Sequence, residues 1–142
     1  MPSIIYTLKN NRLKIPLTAE SVSAGFPSPA ADYIEDRIDF NELLVKNPSA
    51  TFLVKVSGES MIDSFIPPKA LLVVDRSLTA ANNTIVVAVV NGEFLVKKLQ
   101  KANGKIFLLP ANKNLNPIEI TDTMDFQVWG VVSKIIIDPK DI

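Results

Sequence analysis

From residue 51 onward, short apolar runs alternate with turn residues: TFLVKV, ALLVVD, TIVVAVV, EFLVKKL, KIFLLP, PIEI and DFQVWGVVSKIII. Runs of this length, rich in β-branched residues and bounded by Asn, Gly and Pro, predict strands. Asn82-Asn83, Asn91-Gly92 and Asn103-Gly104 fall in the gaps. Asn-Gly favours a type I′ hairpin, in which both central residues need positive φ. EFLVKKL is therefore predicted as a strand bounded by two hairpins. One stretch, DFNELLVKNP, carries a helix signature. Asp39 caps the start, Glu42 three residues later completes a capping-box pattern, Leu43 and Leu44 supply an apolar side, and Pro48 ends the element. The preceding ADYIEDRI reads equally as a helical turn or as irregular chain. This pattern predicts a mainly β fold: a small, twisted, partly closed sheet with one short helix at its front.

Residues 1–29 differ from the rest. IIYTL has the composition of a short strand, but a polar and basic stretch follows and ends in FPSP. Pro27 and Pro29 fix φ, lack an N–H and push the residues before them toward extended conformations. Two readings stand: an extended arm joined to a compact body at 30–142, or an edge strand of that same body. Val22-Ser23-Ala24 before Gly25 has the small residues of a signal-peptidase site. The upstream KNNRLKIPLTAES is interrupted by Lys9, Arg12, Lys14 and Pro16, so no export signal is expected.

Composition narrows the chemistry. At 142 residues and 47% hydrophobic content the chain is large enough for a real core. The 15 basic residues equal the 15 acidic ones, so no overall field draws nucleic acid or anionic membrane. No apolar run approaches the roughly 20 residues that span a bilayer. With neither His nor Cys in the chain, disulfides, thiolate zinc sites, cysteine nucleophiles and Ser-His pairs are excluded. No metal or cofactor is expected, and the chain reads as soluble and cytoplasmic.

Two residues then draw attention. Ser60 sits in SGESM, a small Gly turn that closes the apolar run TFLVKV. A serine after Gly in a turn is ordinarily structural, and SGESM does not match the GxSxG elbow because residue 62 is Ile. Without histidine, a nucleophilic serine needs another base. Lys97 in EFLVKKL has Leu95 and Leu99 two residues away on either side, on the same face of the strand. A lysine in apolar surroundings loses hydration of its charged form, and its pKa falls; the neutral amine then accepts a hydroxyl proton. A solvated strand lysine is the commoner state, and Lys98 beside Phe94 and Val96 is placed similarly. Periodicity alone does not choose between the two.

Read together, SGESMID at 57–63, LLVVDRS at 71–77, NGEFLVKKL at 91–99 and WGVV at 129–132 resemble the UmuD proteins. These are relatives of LexA-type repressors among the Ser-Lys self-cleaving peptidases. The stretch 25–61, GFPSPAADYIEDRIDFNELLVKNPSATFLVKVSGESM, resembles them almost throughout. The resemblance implies a LexA/UmuD C-terminal-like fold with Ser60 as nucleophile and Lys97, the first Lys of the V-K-[KR]-L run, as base. The separation of 37 residues between them suits the family. It implies a cut between Ala24 and Gly25, before GFPSPAADY, with Val22 filling an apolar subsite and the backbone N–H groups of Glu59 and Ser60 holding the oxyanion. A small residue followed by Gly lets the backbone approach Ser60 closely. Removal of 1–24 takes away three basic residues and one acid, leaving twelve against fourteen, a net charge of −2.

The resemblance further implies a homodimer, activation by a RecA filament on single-stranded DNA, and assembly with a UmuC-type Y-family polymerase into an error-prone translesion polymerase of the SOS response. Contacts with replicative polymerase subunits belong to the same expectation; sequence-specific DNA binding and membrane association do not. The alternative is a cleavage-poor polymerase accessory of the same fold. A LexA- or phage-type repressor is not expected, because 1–24 is too short for a helix-turn-helix domain. The group Lys97, Lys98, Lys101 and Lys105 reads as a solvated hairpin edge rather than a DNA-binding patch. The chain departs from the family at Lys69-Ala70, behind Pro67-Pro68, where Gly-Asp is usual, and at Asn83-Thr84. The first change puts a lysine in a turn suited to glycine.

Overall fold

The computed structural model describes residues 2–7, 14–18 and 34–142. In chain order its strands are β1 (Pro2–Thr7), β2 (Lys14–Thr18), β3 (Ile34–Asp39), β4 (Thr51–Val56), β5 (Leu71–Asp75), β6 (Ile85–Val90), β7 (Glu93–Ala102), β8 (Lys105–Leu109), β9 (Ile118–Ile120) and β10 (Phe126–Ile136). One helix, α1 (Phe40–Leu44), lies between β3 and β4. The chain divides into two compact units, Met1–Leu8 with Ser49–Ile142, and Lys9–Pro48. The arm boundary expected after residue 29 falls within 19–33, outside the described residues.

The larger unit is an eight-stranded antiparallel sheet in the order β1-β4-β5-β10-β6-β7-β8-β9. β1 is an edge strand paired with β4, and it also approaches β7, so the sheet curls toward closure. The mainly β, partly closed fold expected from the pattern is present. Both Asn-Gly turns form as anticipated. Val90 pairs with Glu93 across Asn91 (φ 50°) and Gly92 (φ 81°), and Ala102 pairs with Lys105 across Asn103 (φ 53°) and Gly104 (φ 75°). The β7–β8 hairpin is not a sheet edge, because β9 covers β8. Lys105 is exposed and pairs with Glu119 at 3.5 Å, whereas Lys97 is buried, so these lysines do not form one solvated row.

Alternation sorts the side chains into two cores. Val54, Val56, Met61, Ile66, Leu72, Val74, Val87 and Val96 form the first. Val86, Ala88, Val90, Leu99, Leu108 and Val131 form the second. The first joins β4 and β5 to β6 and β7 across the curl. It is finished by Trp129, the extra residue of a bulge between the pairs Val128–Ala88 and Gly130–Val87. Its ring meets Phe52 at 5.4 Å and Phe94 at 5.9 Å, and the Arg76 guanidinium lies 4.6 Å above it. Arg76 Nε also donates to the Trp129 carbonyl at 2.8 Å, which locks the bulge in place.

The turn holding Lys69 keeps its geometry. Ala70 N donates to Pro67 O at 3.2 Å around Pro68 and Lys69, and Lys69 adopts φ 74°. This is the type II pattern, proline first and positive φ second, with lysine where glycine would be unstrained. Two further bonds hold it on β4, Lys69 N to Val56 O and Val56 N to Ala70 O, both 2.9 Å.

In the smaller unit, β2 and β3 form a two-stranded antiparallel ribbon. IEDRI, left open by the sequence, lies in a strand that runs on to Asp39. The helix is shorter than DFNELLVKNP suggested, with only five residues. Asp39 caps it as expected, but its carboxylate accepts from Asn41 N at 3.0 Å rather than from the third helical position of a capping box. Val45 already has extended dihedrals, and Pro48 opens a separate 3-10 turn. Leu43 is 46% exposed, so little burial holds further turns of helix together.

Candidate active site

Ser60 follows β4 on a turn that starts at Gly58, whose φ of 89° is open to glycine and strained for other residues. The turn is held by its carbonyls. Glu59 O accepts from Asn112 Nδ2 at 2.9 Å and from Ile62 N at 3.3 Å. Ser60 O accepts from Ala111 N at 2.8 Å, and Met61 O accepts from Ser64 N and Ile66 N. Asp63 adds two bonds to the same neighbour: its N–H donates to Ala111 O at 2.7 Å, and its carboxylate accepts from Lys113 N at 3.3 Å. The segment after β8 thus grips the serine turn from one side, and a shallow groove of about 410 Å³ lies between Asp63 and residues 109–117. Ser60 itself is half-buried, Glu59 exposed and Met61 buried in the first core.

Lys97 lies in the middle of β7, opposite Val86 of β6, and is only 8% exposed. It shares a face with Leu95 and Leu99, which belong to the second core. Burial strips water from the ammonium and lowers its pKa from 10.5; Glu93, four residues earlier on the same face, offsets part of this. Lys98 on the other face is half-buried and faces Leu109 and Ile85. The ambiguity between the two lysines is thereby resolved in terms of burial: Lys97 is the desolvated one.

Two observations relate the segments that carry Ser60 and Lys97. Met61 and Val96, their respective chain neighbours, pack in the same core. The β7–β8 register pairs Lys98 with Leu109, and two residues further along the chain Ala111 N donates to Ser60 O. Val22, Ala24 and Gly25 lie outside the described residues. Asn112 was not singled out by the sequence, since an Asn after Pro-Ala reads as loop; only the fold shows that it reaches Glu59. Among the described residues, no group of His, Cys, Asp and Glu is arranged to hold a metal ion, and no helix is long and apolar enough to cross a membrane.

The fold is a curled antiparallel sheet with a serine turn after β4 and a buried lysine in β7. The chain belongs to the Peptidase S24-like family, whose pattern matches residues 16–133. Within it the chain is UmuD-like. It is 42% identical to Protein MucA of Salmonella typhimurium over 125 residues, 87% of this chain and 85% of the relative. It is 41% identical to Protein SamA of Salmonella typhimurium strain LT2 over 124 residues, 85% of this chain and 84% of the relative. The LexA repressor of Bordetella parapertussis is 38% identical over 126 residues, 88% of this chain but 57% of the repressor.

The buried lysine has a consequence for stability. In the unfolded chain Lys97 titrates at its ordinary value, and in the folded chain it titrates lower. Between the two values the unfolded chain holds the proton that the folded chain has shed, so stability rises with pH across that window. Below it both states are protonated, and burying the charge weakens the fold. In a Ser60→Ala background, Lys97→Met is therefore expected to be the more stable protein at pH 7, with the gap narrowing as pH approaches 10. Urea denaturation at the two pH values reads this directly; a pH-independent gap would contradict burial of the ammonium.

Proposed function

We propose that this chain is an autocatalytic serine endopeptidase that cuts its own backbone between Ala24 and Gly25, with Ser60 as nucleophile and Lys97 as general base. The observation that carries the reading is the buried, easily deprotonated Lys97 in a Peptidase S24-like chain that has no histidine or cysteine. Neutral Lys97 takes the Ser60 proton as Oγ attacks the Ala24 carbonyl. The tetrahedral oxyanion is held by the N–H groups of Glu59 and Ser60. On collapse, the C–N bond to Gly25 breaks, Lys97 returns its proton to the departing amine, and an acyl-enzyme on Ser60 remains. Water then adds to the ester, giving its proton to Lys97; the bond from the Ala24 carbonyl carbon to Ser60 Oγ breaks, Lys97 returns that proton to Oγ, and the new carboxyl group at Ala24 is released. Val22 fills an apolar subsite two residues before the cut.

Similarity to UmuD-like proteins supports a place for the product in the SOS response: a homodimer in the cytoplasm, whose cleavage is promoted by a RecA filament on single-stranded DNA and which then joins a UmuC-type Y-family polymerase for translesion synthesis. Replicative polymerase subunits are further partners on this reading.

Incubation of the purified chain at alkaline pH, followed by intact mass spectrometry, tests the chemistry. A fragment beginning at Gly25 should accumulate faster as pH rises, because more Lys97 is neutral. The rate should level off below pH 10.5, the unburied value. Absence of that fragment at any pH, with and without a RecA–single-stranded DNA filament, would overturn the proposal.

A further inference from the structure

We infer that Asn112 is a positioning residue for self-cleavage, orienting the Ser60 N–H toward the developing oxyanion by anchoring the peptide plane that carries it. The inference rests on the Ser60–Lys97 reading above. None of the cis peptide bonds that would alter the geometry occurs among the described residues, so the Glu59 carbonyl and the Ser60 N–H, which share one planar trans unit, point in opposite directions. Asn112 Nδ2 holds that carbonyl at 2.9 Å, with Ile62 N more distant at 3.3 Å. Drawing the carbonyl toward the segment after β8 turns the Ser60 N–H to the other side of the turn. The next peptide is held from the same segment, by Ala111 N on Ser60 O at 2.8 Å.

The two anchors differ in kind. The Ala111 bond is made by backbone and survives most substitutions, whereas the Asn112 bond depends on an amide side chain. That amide is itself oriented: Asn112 Oδ1 accepts from Asn114 N at 3.0 Å, which leaves Nδ2 as the end that donates to Glu59. Lys113 N on the Asp63 carboxylate and Asp63 N on Ala111 O keep the segment against the turn. An oxyanion donor is effective only when it is already aimed before charge develops. A side chain that fixes the peptide plane therefore acts on rate without touching the reacting atoms.

Asn112→Asp separates this role from loop structure. Aspartate is nearly the same shape and keeps the oxygen that accepts from Asn114 N, but it places a second oxygen against the Glu59 carbonyl where a donor was. The expected result is a fall in cleavage rate of roughly 10–100-fold, with the pH at which the rate is half-maximal unchanged because Lys97 is untouched, and a melting temperature close to that of the parent. Labelling by an alkyl fluorophosphonate, in which Ser60 Oγ displaces fluoride from phosphorus and a phosphoryl oxygen occupies the oxyanion position, should slow by a similar factor in the uncleaved protein. Asn112→Ala should slow both reactions as well. Ser60→Ala and Lys97→Ala run alongside. If those two cleave like the parent, the dyad reading fails. If they are inactive while Asn112→Asp cleaves and labels at the parent rate, or only shifts the pH midpoint, the positioning role alone is overturned.

Discussion

Ser60→Ala and Lys97→Ala are each expected to lower the rate of cleavage between Ala24 and Gly25 by at least about 10³-fold, to below detection over hours. Serine supplies the only oxygen at this turn that a neutral Lys97 is proposed to activate, and with no histidine in the chain nothing of ordinary basicity can substitute. Lys97→Arg should be as inactive as Lys97→Ala, because a guanidinium keeps its proton throughout the accessible pH range. That comparison separates proton transfer from mere positive charge. It also separates the dyad from simple alkaline scission, which would continue in all three variants. Lys98→Ala is the matched control: it removes a neighbouring lysine from the opposite face and should cleave near the parent rate. Gly25-starting product from Ser60→Ala at the parent rate would assign the nucleophile elsewhere.

Gly130→Val is expected to destabilise the fold by roughly 3 kcal/mol. A Cβ at this position would lie 2.5 Å from Val74 Cγ1, 3.3 Å from Arg76 Cγ and 3.5 Å from the Asp75 carbonyl oxygen. Val74 is fully buried, and a β-branched residue has little rotamer freedom to retreat. The backbone must move instead, and the backbone here is the Trp129 bulge that seats the aromatic ring on the first core. Val96 and Met61, the chain neighbours of Lys97 and Ser60, pack in that core. Chemical denaturation should show a lower midpoint, and loss of cleavage should follow as folded protein is lost. A midpoint unchanged within about 0.5 kcal/mol would mean that the sheet relaxes freely at the bulge.

Much of the β architecture could be read along the chain. TFLVKV is β4 residue for residue, and the two Asn-Gly turns carry the positive φ values that the hairpins need. These features are local: a strand against a core shows its period in its own residues, and a tight turn shows its strain in its own residue types. The smaller unit was less legible for the same reason. In its ribbon β2 exposes Ile15 and Leu17 by 41% and 43%, so these positions impose little apolar alternation. The helix signature was real at its cap and too weak beyond it, because capping needs one side chain and elongation needs packing.

Ser60 and Lys97 were singled out by motifs taken together, while their surroundings were not in the motifs. Period-2 alternation gives Lys97 and Lys98 similar apolar neighbours within their own strand. Burial to 8% exposure is imposed on Lys97 by strands brought alongside it. Likewise the grip of residues 111–113 on the serine turn joins segments far apart in the chain, and no local pattern encodes it. By itself the sequence determined the strands, the hairpins and the family, since each depends on residue type and short-range spacing. Only the tertiary structure decided which lysine loses its water, how Lys69 is accommodated in a glycine-type turn, and which way the peptides around Ser60 face, since desolvation and peptide orientation are set by neighbours that the curl of the sheet brings together.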